Sequence, residues 1–421
     1  MPNEVKNIFI VGIGGIGVSG MARIFRAQGK VVFGSDIDTS EIIEGLENEG
    51  IKIYRGHAAE NVSNDIDFLI FSQAVPENNA EREAAKGLNI PQLSYPEALG
   101  KMAENYKKVI AVAGTNGKTT TTAMIGWVLD QAGMDPTVVV GSKVLAWNSN
   151  ARIGGNKYLI LEADEYRRAF LNYHPDIAVI TNIEADHLDY YRDLEDVRSA
   201  FEEFKNNIKP GGVVIGPENI PQLPEDVRLK VPGWFNRANA AAALATCRAL
   251  GVPDDKIKSG LESFAGTWRR FEKVGRVGGT DVISDYAHHP AGITAVLDAA
   301  LEVYKDPTRI LAVFQPHQHN RTKKLFKEFV AAFCSSRVNN IIISEIFDVA
   351  GREEDKDQNI SSQDLVNEIR KCGKNIDYAR DLKDCEEKTK AALPNYAAVI
   401  FIGAGDICKV ANKLVVDEQE R

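Results

Sequence analysis

The chain has 421 residues, 44% of them hydrophobic, and at ~150 residues per domain this length predicts about three domains with separate cores. Its 50 basic and 59 acidic residues give a net charge of −9, which argues against a sequence-independent nucleic-acid binder, since such a protein needs a basic surface. The apolar runs fall far short of the ~20 residues that span a bilayer, and the first residues lack a signal-peptide pattern, so we expect a cytoplasmic protein.

Short β-branched runs alternate with helical patterns, which is typical of parallel sheets covered by helices. In the first segment we predict strands over Asn7–Val11, Lys30–Phe33, Ile51–Tyr54 and Phe68–Phe71, then helices over Ala80–Lys86 and Pro96–Glu104. The first strand leads into Gly12-x-Gly14-x-x-Gly17, and Asp36 follows nineteen residues after the last glycine. This dinucleotide fingerprint binds a pyrophosphate at a helix N-terminus. NAD, FAD and a nucleotide-sugar diphosphate all present one, so the motif leaves the ligand open.

The second segment contains a variant phosphate loop. We predict strands over Val109–Ala113, Tyr158–Leu161 and Ile177–Thr181 and helices over Thr119–Ala132 and Ala238–Leu250. In the sequence GTNGKTTTT, Gly114 and Gly117 would let backbone N–H groups turn towards a phosphate. Lys118 would supply a point charge, and the hydroxyl of Thr119 would ligate Mg²⁺. The alternative is a glycine turn before a threonine-rich helix, but four threonines make a poor helix start without a ligand.

Acidic residues and a histidine follow two further strands of this segment. Glu162 ends one predicted strand, and Asn182–His187 come after the next. Because the carboxyl ends of parallel strands gather ligands, these groups would suit a second divalent cation beside the phosphate loop. The dense cluster comprises Glu184, Asp186, His187 and Asp189. A solvated acidic loop is the alternative.

The third segment opens near Phe271, and its strands are also followed by polar residues. We predict these strands over Asp281–Ser284, Ile310–Phe314, Asn340–Ser344 and Ala397–Ile402, before a charged final helix. Two of the strands lead into histidine-rich stretches, which contain Asp285, His288 and His289 in one and His317, His319 and Arg321 in the other. Arg269 and Arg270 could bind a phosphate as a fork, although such a pair is also common on solvated surfaces.

The cysteines show no pattern that indicates pairing or metal binding. They are odd in number, widely scattered and without a CxxC spacing. We therefore predict reduced thiols at Cys247, Cys334, Cys372, Cys385 and Cys408.

Together, these motifs resemble those of the Mur ligases, the ATP-dependent peptide-forming enzymes of peptidoglycan synthesis. GTNGKTTTT is similar to the family's ATP loop, EADE and TNIEADHLD to its metal-binding segments, and RRFE to the start of its C-terminal domain. The resemblance runs from Asn7 to about Lys409. It implies three α/β domains: a Rossmann-like domain (1–104) for a UDP-sugar, a central P-loop ATPase-type parallel sheet (105–267), and a Rossmann-like C-terminal domain (268–421) for ATP and an amino acid.

Within the family, GIGGIGVSGMA, SDYAHHP and FQPHQHNRT most resemble members that join UDP-N-acetylmuramate to L-alanine. Members that attach a whole tripeptide to the same sugar nucleotide are the second choice. In either case the resemblance implies transfer of the γ-phosphoryl group of ATP to the lactyl carboxylate. An amine would then displace phosphate from the acyl phosphate, in a site closed to water.

The resemblance also implies the site residues. Catalysis is expected from Lys118, Glu162 and His187, and the metal, Mg²⁺ with Mn²⁺ as a substitute, from Thr119, Glu162 and His187. The expected ATP contacts are Gly114, Thr115, Asn116, Gly117, Lys118, Thr119, Thr120, Asn236, Arg270 and Asp285. Those to the UDP-sugar are Gly12, Gly14, Gly15, Ile16, Gly17, Ser35, Asp36 and Ser72, and those to the amino acid are His288, His317 and Arg321. Phe235 stands where the family has histidine, which implies an aromatic contact to adenine.

Three other classes of function remain as alternatives. An NAD-dependent oxidoreductase would explain the first glycine motif but leaves the phosphate loop unexplained. A P-loop ATPase switch would hydrolyse ATP without a small acceptor. A non-catalytic nucleotide-sugar binder would have no use for Lys118, Thr119, Glu162 and His187 together. No pattern indicates an oligomeric state.

Overall fold

The first of three sheets is parallel throughout. The computed structural model describes residues 5–187, 190–348 and 359–419. The first elements are β1 (Asn7–Val11), α1 (Ile16–Ala27), β2 (Val31–Asp36), α2 (Glu41–Asn48), β3 (Lys52–Arg55), β4 (Phe68–Phe71), α3 (Ala80–Gly87), β5 (Gln92–Ser94) and α4 (Tyr95–Ala103). The strand order is β3-β2-β1-β4-β5. All four predicted strands are therefore present, while β5 has only three residues, too few to show a pattern.

Alternate residues of this sheet enter two different cores. Ile8 and Ile10 of β1 pack in a core that includes Phe25 of α1, whereas Phe9 and Val11 pack in a second core. A strand covered on both faces is apolar at every buried position, which explains the continuous apolar run Ile8–Val11. The chain leaves β1 in the centre of the sheet, where the strand order reverses and ligands bind in such folds.

The second sheet has the order β11-β10-β6-β9-β7-β8. Its elements are β6 (Lys108–Ala113), α5 (Lys118–Gln131), β7 (Thr137–Val144), β8 (Ser149–Arg152), β9 (Tyr158–Glu162), β10 (Ile177–Ile180), α6 (Leu194–Asn206), β11 (Val213–Ile215), α7 (Trp234–Ala249) and α8 (Asp254–Ser263). All pairs are parallel except β7 with β8. This antiparallel edge differs from the uniformly parallel prediction, because a short turn lets β8 fold directly back on β7. The sheet places the ends of β9 and β10 on either side of β6.

The first two sheets belong to one compact unit. Within it, the side chain of Asn150 in β8 is only 2% exposed and binds α1. Its Nδ2 donates to Ser19 Oγ at 2.9 Å, and its Oδ1 accepts from Arg23 Nη1 at 2.5 Å. These contacts attach the helix that follows the first glycine loop to the edge of the second sheet.

The third sheet lies in a second compact unit, which comprises Val231–Asn236 and Trp268–Arg421. Its elements are β12 (Glu272–Val277), β13 (Thr280–Asp285), α9 (Pro290–Tyr304), β14 (Ile310–Phe314), α10 (His319–Lys324), α11 (Phe326–Ser335), β15 (Asn340–Ser344), α12 (Ser362–Arg370), β16 (Asn375–Ala379), α13 (Leu382–Ala392), β17 (Ala398–Ile402) and α14 (Ile407–Gln419). The order is β12-β13-β17-β14-β15-β16, with only β12 antiparallel to its neighbour. The four predicted strands are present, and β12 and β16 are additional.

Two cysteines of this unit are paired. Cys334 in α11 and Cys372, just after α12, form a disulfide with Cα atoms 5.7 Å apart. The prediction of five reduced thiols is therefore wrong for these two, whereas Cys247, Cys385 and Cys408 are free and buried. The sequence separation of 38 residues contained no signal, because the pairing depends on how α11 and α12 pack side by side.

The three-domain α/β class is confirmed, with one sheet in each of three successive stretches of chain (7–94, 108–215 and 272–402). The domain boundaries at 104 and 267 stay predictions. Among the described residues, no helix is both long enough and apolar enough to span a membrane.

Candidate active site

The predicted phosphate loop joins β6 to α5 and requires both of its glycines. Gly114 has φ +133° and Gly117 has φ +86°. A Cβ atom would lie 2.0 Å from Thr181 Oγ1 at Gly114 and 2.2 Å from Asn239 Oδ1 at Gly117, so no other residue fits without displacement. Helix α5 begins at Lys118, which directs its first backbone N–H groups towards the loop. This is the geometry of an anion site at a helix N-terminus.

The segment after β10 supports the loop from one side. The backbone N–H of Thr115 donates to Asn182 O at 3.1 Å, and that of Asn116 to Asn182 Oδ1 at 2.9 Å. The N–H of Glu184 donates to Thr115 Oγ1 at 2.9 Å. This segment is predicted from the sequence to bind metal, and the structure shows that it also supports the loop. Asp189, from the same acidic cluster, lies outside the described residues.

Lys118 is paired with a residue that the sequence interpretation did not select. Its Nζ lies 2.7 and 3.0 Å from the two carboxylate oxygens of Glu165 and 2.8 Å from Gly114 O. Burial alone would lower the pKa of Lys118, but the carboxylates of Glu165 and Asp164 outweigh it and hold the pKa above the ordinary lysine value. Lys118 is therefore a cation at neutral pH. Burial raises the pKa of Glu165, against the attraction of Lys118. The sequence signals for Glu165 were its place three residues after a strand end and its membership of the EADE segment.

Two groups of oxygen and nitrogen ligands lie near Lys118, and the second of them includes Glu165 itself. In the first group, Thr119 Oγ1 donates to Glu162 Oε2 at 3.2 Å, and the N–H of Gly141 binds the other carboxylate oxygen. The second group contains Asp164, Glu165 and His187, whose ligand atoms all lie within 4.8 Å of one another. The predicted metal ligands Thr119, Glu162 and His187 are thus divided between the two groups. Carboxylate and hydroxyl oxygens suit both Mg²⁺ and Mn²⁺, so the residues present fit a divalent cation.

His187 lies in a constrained position. Its φ is +54°, its ring centroid lies 4.8 Å from that of Tyr166, and its Nε2 lies 3.8 Å from Glu165 Oε1. A non-glycine residue with positive φ is uncommon, and such strain is concentrated at functional sites. The backbone thus holds the imidazole beside the carboxylate that binds Lys118.

The first glycine loop also has the geometry of a pyrophosphate site. Gly12 N donates to Ser35 O at 2.9 Å, and Gly14 N donates to Asp36 Oδ2 at 2.8 Å. A Cβ atom at Gly17 would lie 2.6 Å from Tyr95 Oη. Gly15 and Ile16 then form the start of α1, whose N–H groups face the loop.

Three polar residues predicted to contact the UDP-sugar also have partners within the protein. The Ser35 hydroxyl is fully buried and donates to Glu81 Oε2 at 2.5 Å. Asp36 accepts from the loop itself, and Ser72 lies beside Gly12, where a Cβ atom would approach to 2.9 Å. Ser35 therefore shapes the loop from beneath, while Ser72 borders it.

In the second unit, Asp285 already accepts two backbone hydrogen bonds. Its oxygens accept from Phe271 N and Ala287 N, both at 2.7 Å, and burial raises its pKa despite the nearby Arg270. The Arg270 guanidinium lies 5.2 Å from the centre of the Tyr286 ring. Asn236, in the first turn of α7, donates from Nδ2 to Pro232 O at 2.7 Å. That Asn236, Arg270 and Asp285 bind ATP stays a prediction.

The structure brings together His288, His317 and Arg321, the residues predicted for the amino acid. The rings of His288 and His317 are 5.8 Å apart, and Arg321 Nη1 lies 3.1 Å from His317 Nδ1. Burial, followed by the positive charge of Arg321, lowers the pKa of His288 to about 3. His288 is therefore neutral at physiological pH. His319 turns away from this cluster and binds Asp348 Oδ2 at 2.8 Å.

The buried imidazole should make stability pH-dependent. The pKa of His288 falls from 6.5 in the unfolded chain to about 3 in the folded protein, so between these values the unfolded chain binds more protons. The contribution of the neutral His288 to the free energy of unfolding is fully present above pH 6.5, and it is lost progressively as the pH falls from 6.5 towards 3. The free energy of unfolding of the wild type should fall between pH 7 and pH 5. We expect this decrease to be about 1–2 kcal/mol smaller in His288→Gln, which lacks the titrating imidazole.

Urea denaturation at the two pH values measures this difference. The exposed His174 offers a control, because His174→Gln should retain the wild-type pH dependence. Equal pH dependence of His288→Gln and the wild type would contradict a neutral, buried imidazole.

Three family models match successive parts of the chain. They are described as the Mur ligase family catalytic domain (residues 7–107), the Mur ligase middle domain (112–225) and the Mur ligase glutamate ligase domain (269–405). A UDP-N-acetylmuramate–L-alanine ligase of Acetivibrio thermocellus is 38% identical, over 99% of this chain and 97% of its own. One of Caldanaerobacter subterraneus subsp. tengcongensis is 37% identical, over 99% of each chain.

Solved structures show the same relationship. The UDP-N-acetylmuramate–alanine ligase of Thermotoga maritima has a TM-score of 0.83 at 29% identity and covers 99% of this chain and 100% of its own. A murein peptide ligase of Psychrobacter arcticus, at 22% identity, shares the fold, with a TM-score of 0.70 over 98% of each chain. Three α/β domains with a phosphate loop on the central sheet define a class of ATP-dependent enzymes. The chain belongs to the Mur ligase family. This confirms the resemblance, including the similarity to members that join UDP-N-acetylmuramate to L-alanine.

Proposed function

We propose that this chain joins the lactyl carboxylate of UDP-N-acetylmuramate to L-alanine at the expense of ATP, in peptidoglycan precursor synthesis. The observation that supports it most directly is the full-length similarity to ligases of that name, at 35–38% identity. The same similarity favours this function over the tripeptide alternative. ATP and UDP-sugars are cytoplasmic metabolites, and we propose a cytoplasmic location for that reason. We also propose domain boundaries at 104 and 267, between the successive sheets.

The phosphate loop and Lys118 would bind the transferred phosphoryl group. Two anions, ATP and a carboxylate, must approach each other, so the site needs fixed positive charge. Lys118 supplies it, because its pKa lies above the ordinary lysine value, and the first N–H groups of α5 add to it. These groups are preorganised by the loop contacts to Asn182 and Glu184, which reduces the reorganisation needed in the transition state.

A divalent cation would be held by the residues that flank Lys118. We assign Thr119 and Glu162 to one position and His187, with Asp164, to the other. A bound Mg²⁺ would neutralise charge on the phosphates and the acceptor carboxylate. Glu162 is held in place by the N–H of Gly141, and Tyr166 packs against the ring of His187.

The remaining contacts are assigned by unit. We propose that the loop Gly12–Gly17 binds the UDP pyrophosphate, supported by its geometry at the start of α1. In the second unit, Asn236, Arg270 and Asp285 would contact ATP, with Phe235 against adenine, and Asp285 would also hold the turn that carries Arg270. Neutral His288, together with His317 and Arg321, would receive the amino acid, whose carboxylate needs a cation such as Arg321.

Phosphate release measures the proposed reaction. The assay contains ATP, Mg²⁺ and UDP-N-acetylmuramate, and compares L-alanine, glycine, L-serine and the tripeptide. We expect L-alanine to be preferred, with measurable use of glycine and serine, because a methyl group provides only about 1–3 kcal/mol of discrimination. Phosphate release without UDP-N-acetylmuramate would indicate an ATPase switch. A preference for the tripeptide would contradict the L-alanine assignment and leave the ligase class intact.

Arg321→Ala tests the assignment of the amino-acid site. We expect the KM for L-alanine to rise about tenfold or more, because the change removes a charge-assisted contact to its carboxylate, while the KM for ATP stays within about twofold. Initial rates at varied L-alanine and varied ATP measure both. Lys324→Ala, which removes an exposed cation from the same helix, should change neither constant. Equal increases in both constants would contradict a specific role.

A further inference from the structure

Glu165 is an internal anion at the phosphate loop. Its side chain is only 2% exposed, and both carboxylate oxygens contact Lys118 Nζ, at 2.7 and 3.0 Å. Lys118 Nζ also contacts Gly114 O at 2.8 Å. An ammonium group has three N–H donors, so the carboxylate and the loop carbonyl occupy most of its capacity. A phosphate that enters the loop must therefore share Lys118 with Glu165.

The backbone around Glu165 is strained and tied down. Arg167 and Arg168 both have positive φ, at +51° and +55°. Arg168 binds Asp196 at 3.0 Å and Glu203 at 2.6 Å, and the Tyr191 hydroxyl donates to the carbonyl of Glu165. Left-handed conformations of non-glycine residues cost free energy and persist only where surrounding contacts impose them. The protein thus maintains Glu165 against Lys118 despite the backbone cost.

We propose that Glu165 is a positioning residue that competes with the transferred phosphate of ATP for Lys118. Its carboxylate keeps Nζ directed into the loop, next to Gly114 O, and yields part of this contact when phosphate binds. ATP then binds less tightly than the loop alone would allow, and Lys118 is held where the phosphoryl group is transferred. The inference rests on the proposed ATP-dependent function.

The matched variant is Glu165→Gln, which removes the charge and keeps the shape. Calorimetric titration with the β,γ-imido analogue of ATP, with Mg²⁺ and separately with EDTA, measures binding without turnover. We expect Kd to fall about fivefold or more in both conditions, because the competing anion is gone. Turnover at saturating ATP should fall about fivefold or more, since the glutamine amide has one acceptor oxygen in place of two and holds Lys118 Nζ less firmly. A purely structural residue would instead weaken binding.

Two further variants keep the test decisive. Glu165→Asp retains the charge on a shorter side chain, so its Kd should lie between those of the wild type and Glu165→Gln. If Glu165→Gln does not fold, the Kd of Glu165→Asp relative to the wild type tests the proposal instead. Glu202→Gln removes an exposed carboxylate from α6 and should leave Kd unchanged. Thermal unfolding checks each variant.

An unchanged or higher Kd in either Glu165 variant would overturn the proposal. So would a raised Mg²⁺ requirement with unchanged binding in EDTA, which would make Glu165 a metal ligand. Because the titration contains neither sugar nucleotide nor amino acid, its outcome is independent of the phosphate-release assay. A failed substrate scan with a tightened Kd would instead count against the proposed ligase function.

Discussion

Lys118→Ala is expected to reduce phosphate release with UDP-N-acetylmuramate and L-alanine by at least about 100-fold. The change removes the side-chain cation of the phosphate loop, and such contacts to developing charge contribute about 3 kcal/mol or more to the barrier. It also leaves Glu165 buried without its partner, and breaking a buried ion pair in this way costs about 3–5 kcal/mol of stability. The single variant should therefore be both inactive and less stable.

A double variant separates these two effects. Lys118→Ala combined with Glu165→Gln removes the uncompensated charge, so it should recover most of the lost stability in urea denaturation while remaining inactive. Lys108→Ala is the control, because Lys108 is an exposed lysine at the opposite end of β6. If the folded double variant released phosphate at a near-normal rate, the loop would not be catalytic.

His187→Ala is expected to raise the Mg²⁺ concentration needed for half-maximal rate by about tenfold or more. His187 belongs to one ligand group with Asp164 and Glu165, whereas Thr119 and Glu162 form the other, so its loss should affect one metal position and spare the other. Because the loop and Thr119 remain, binding of the β,γ-imido analogue should change by less than about threefold. Rate measurements over a Mg²⁺ titration, repeated with Mn²⁺, test this expectation.

His174→Ala provides the control for His187, since His174 is exposed in the same unit. It should follow the wild-type metal titration. An unchanged metal requirement in His187→Ala would assign the imidazole a structural role against Tyr166. A large loss of nucleotide binding would likewise contradict a role limited to the second cation.

The combined geometry of Lys118, Glu165 and His187 changes how the loop motif is understood. A phosphate loop is usually described by its glycines and its lysine, yet here the lysine is held by a carboxylate from the neighbouring strand end. The same carboxylate lies 3.8 Å from His187 Nε2. The effects of substituting two of these residues together should therefore differ from the sum of the two single effects, because each substitution removes a partner of another residue.

Features that depend on neighbouring residues could be predicted from the sequence alone. Gly114 and Gly117 indicated the phosphate loop, because a positive φ and the close approach of neighbouring side chains require glycine at those positions. Continuous apolar runs such as Val109–Ala113 identified the buried parallel strands. The general rule that strand ends gather ligands predicted Glu162 and His187 near the loop, and the strands that precede them, β9 and β10, lie on either side of β6.

The contacts between residues far apart in the chain, and the internal partners of the site's side chains, became visible only in the folded structure. Glu165 is 47 residues from Lys118, and the pair forms because β6 and β9 are adjacent and the Glu165 side chain, just after β9, is buried. Cys334 and Cys372 meet through helix packing, and each carboxylate oxygen of Asp285 accepts a hydrogen bond from a backbone N–H group. Composition and periodicity describe single helices and strands, whereas side-chain burial and pairing depend on how those helices and strands pack against one another.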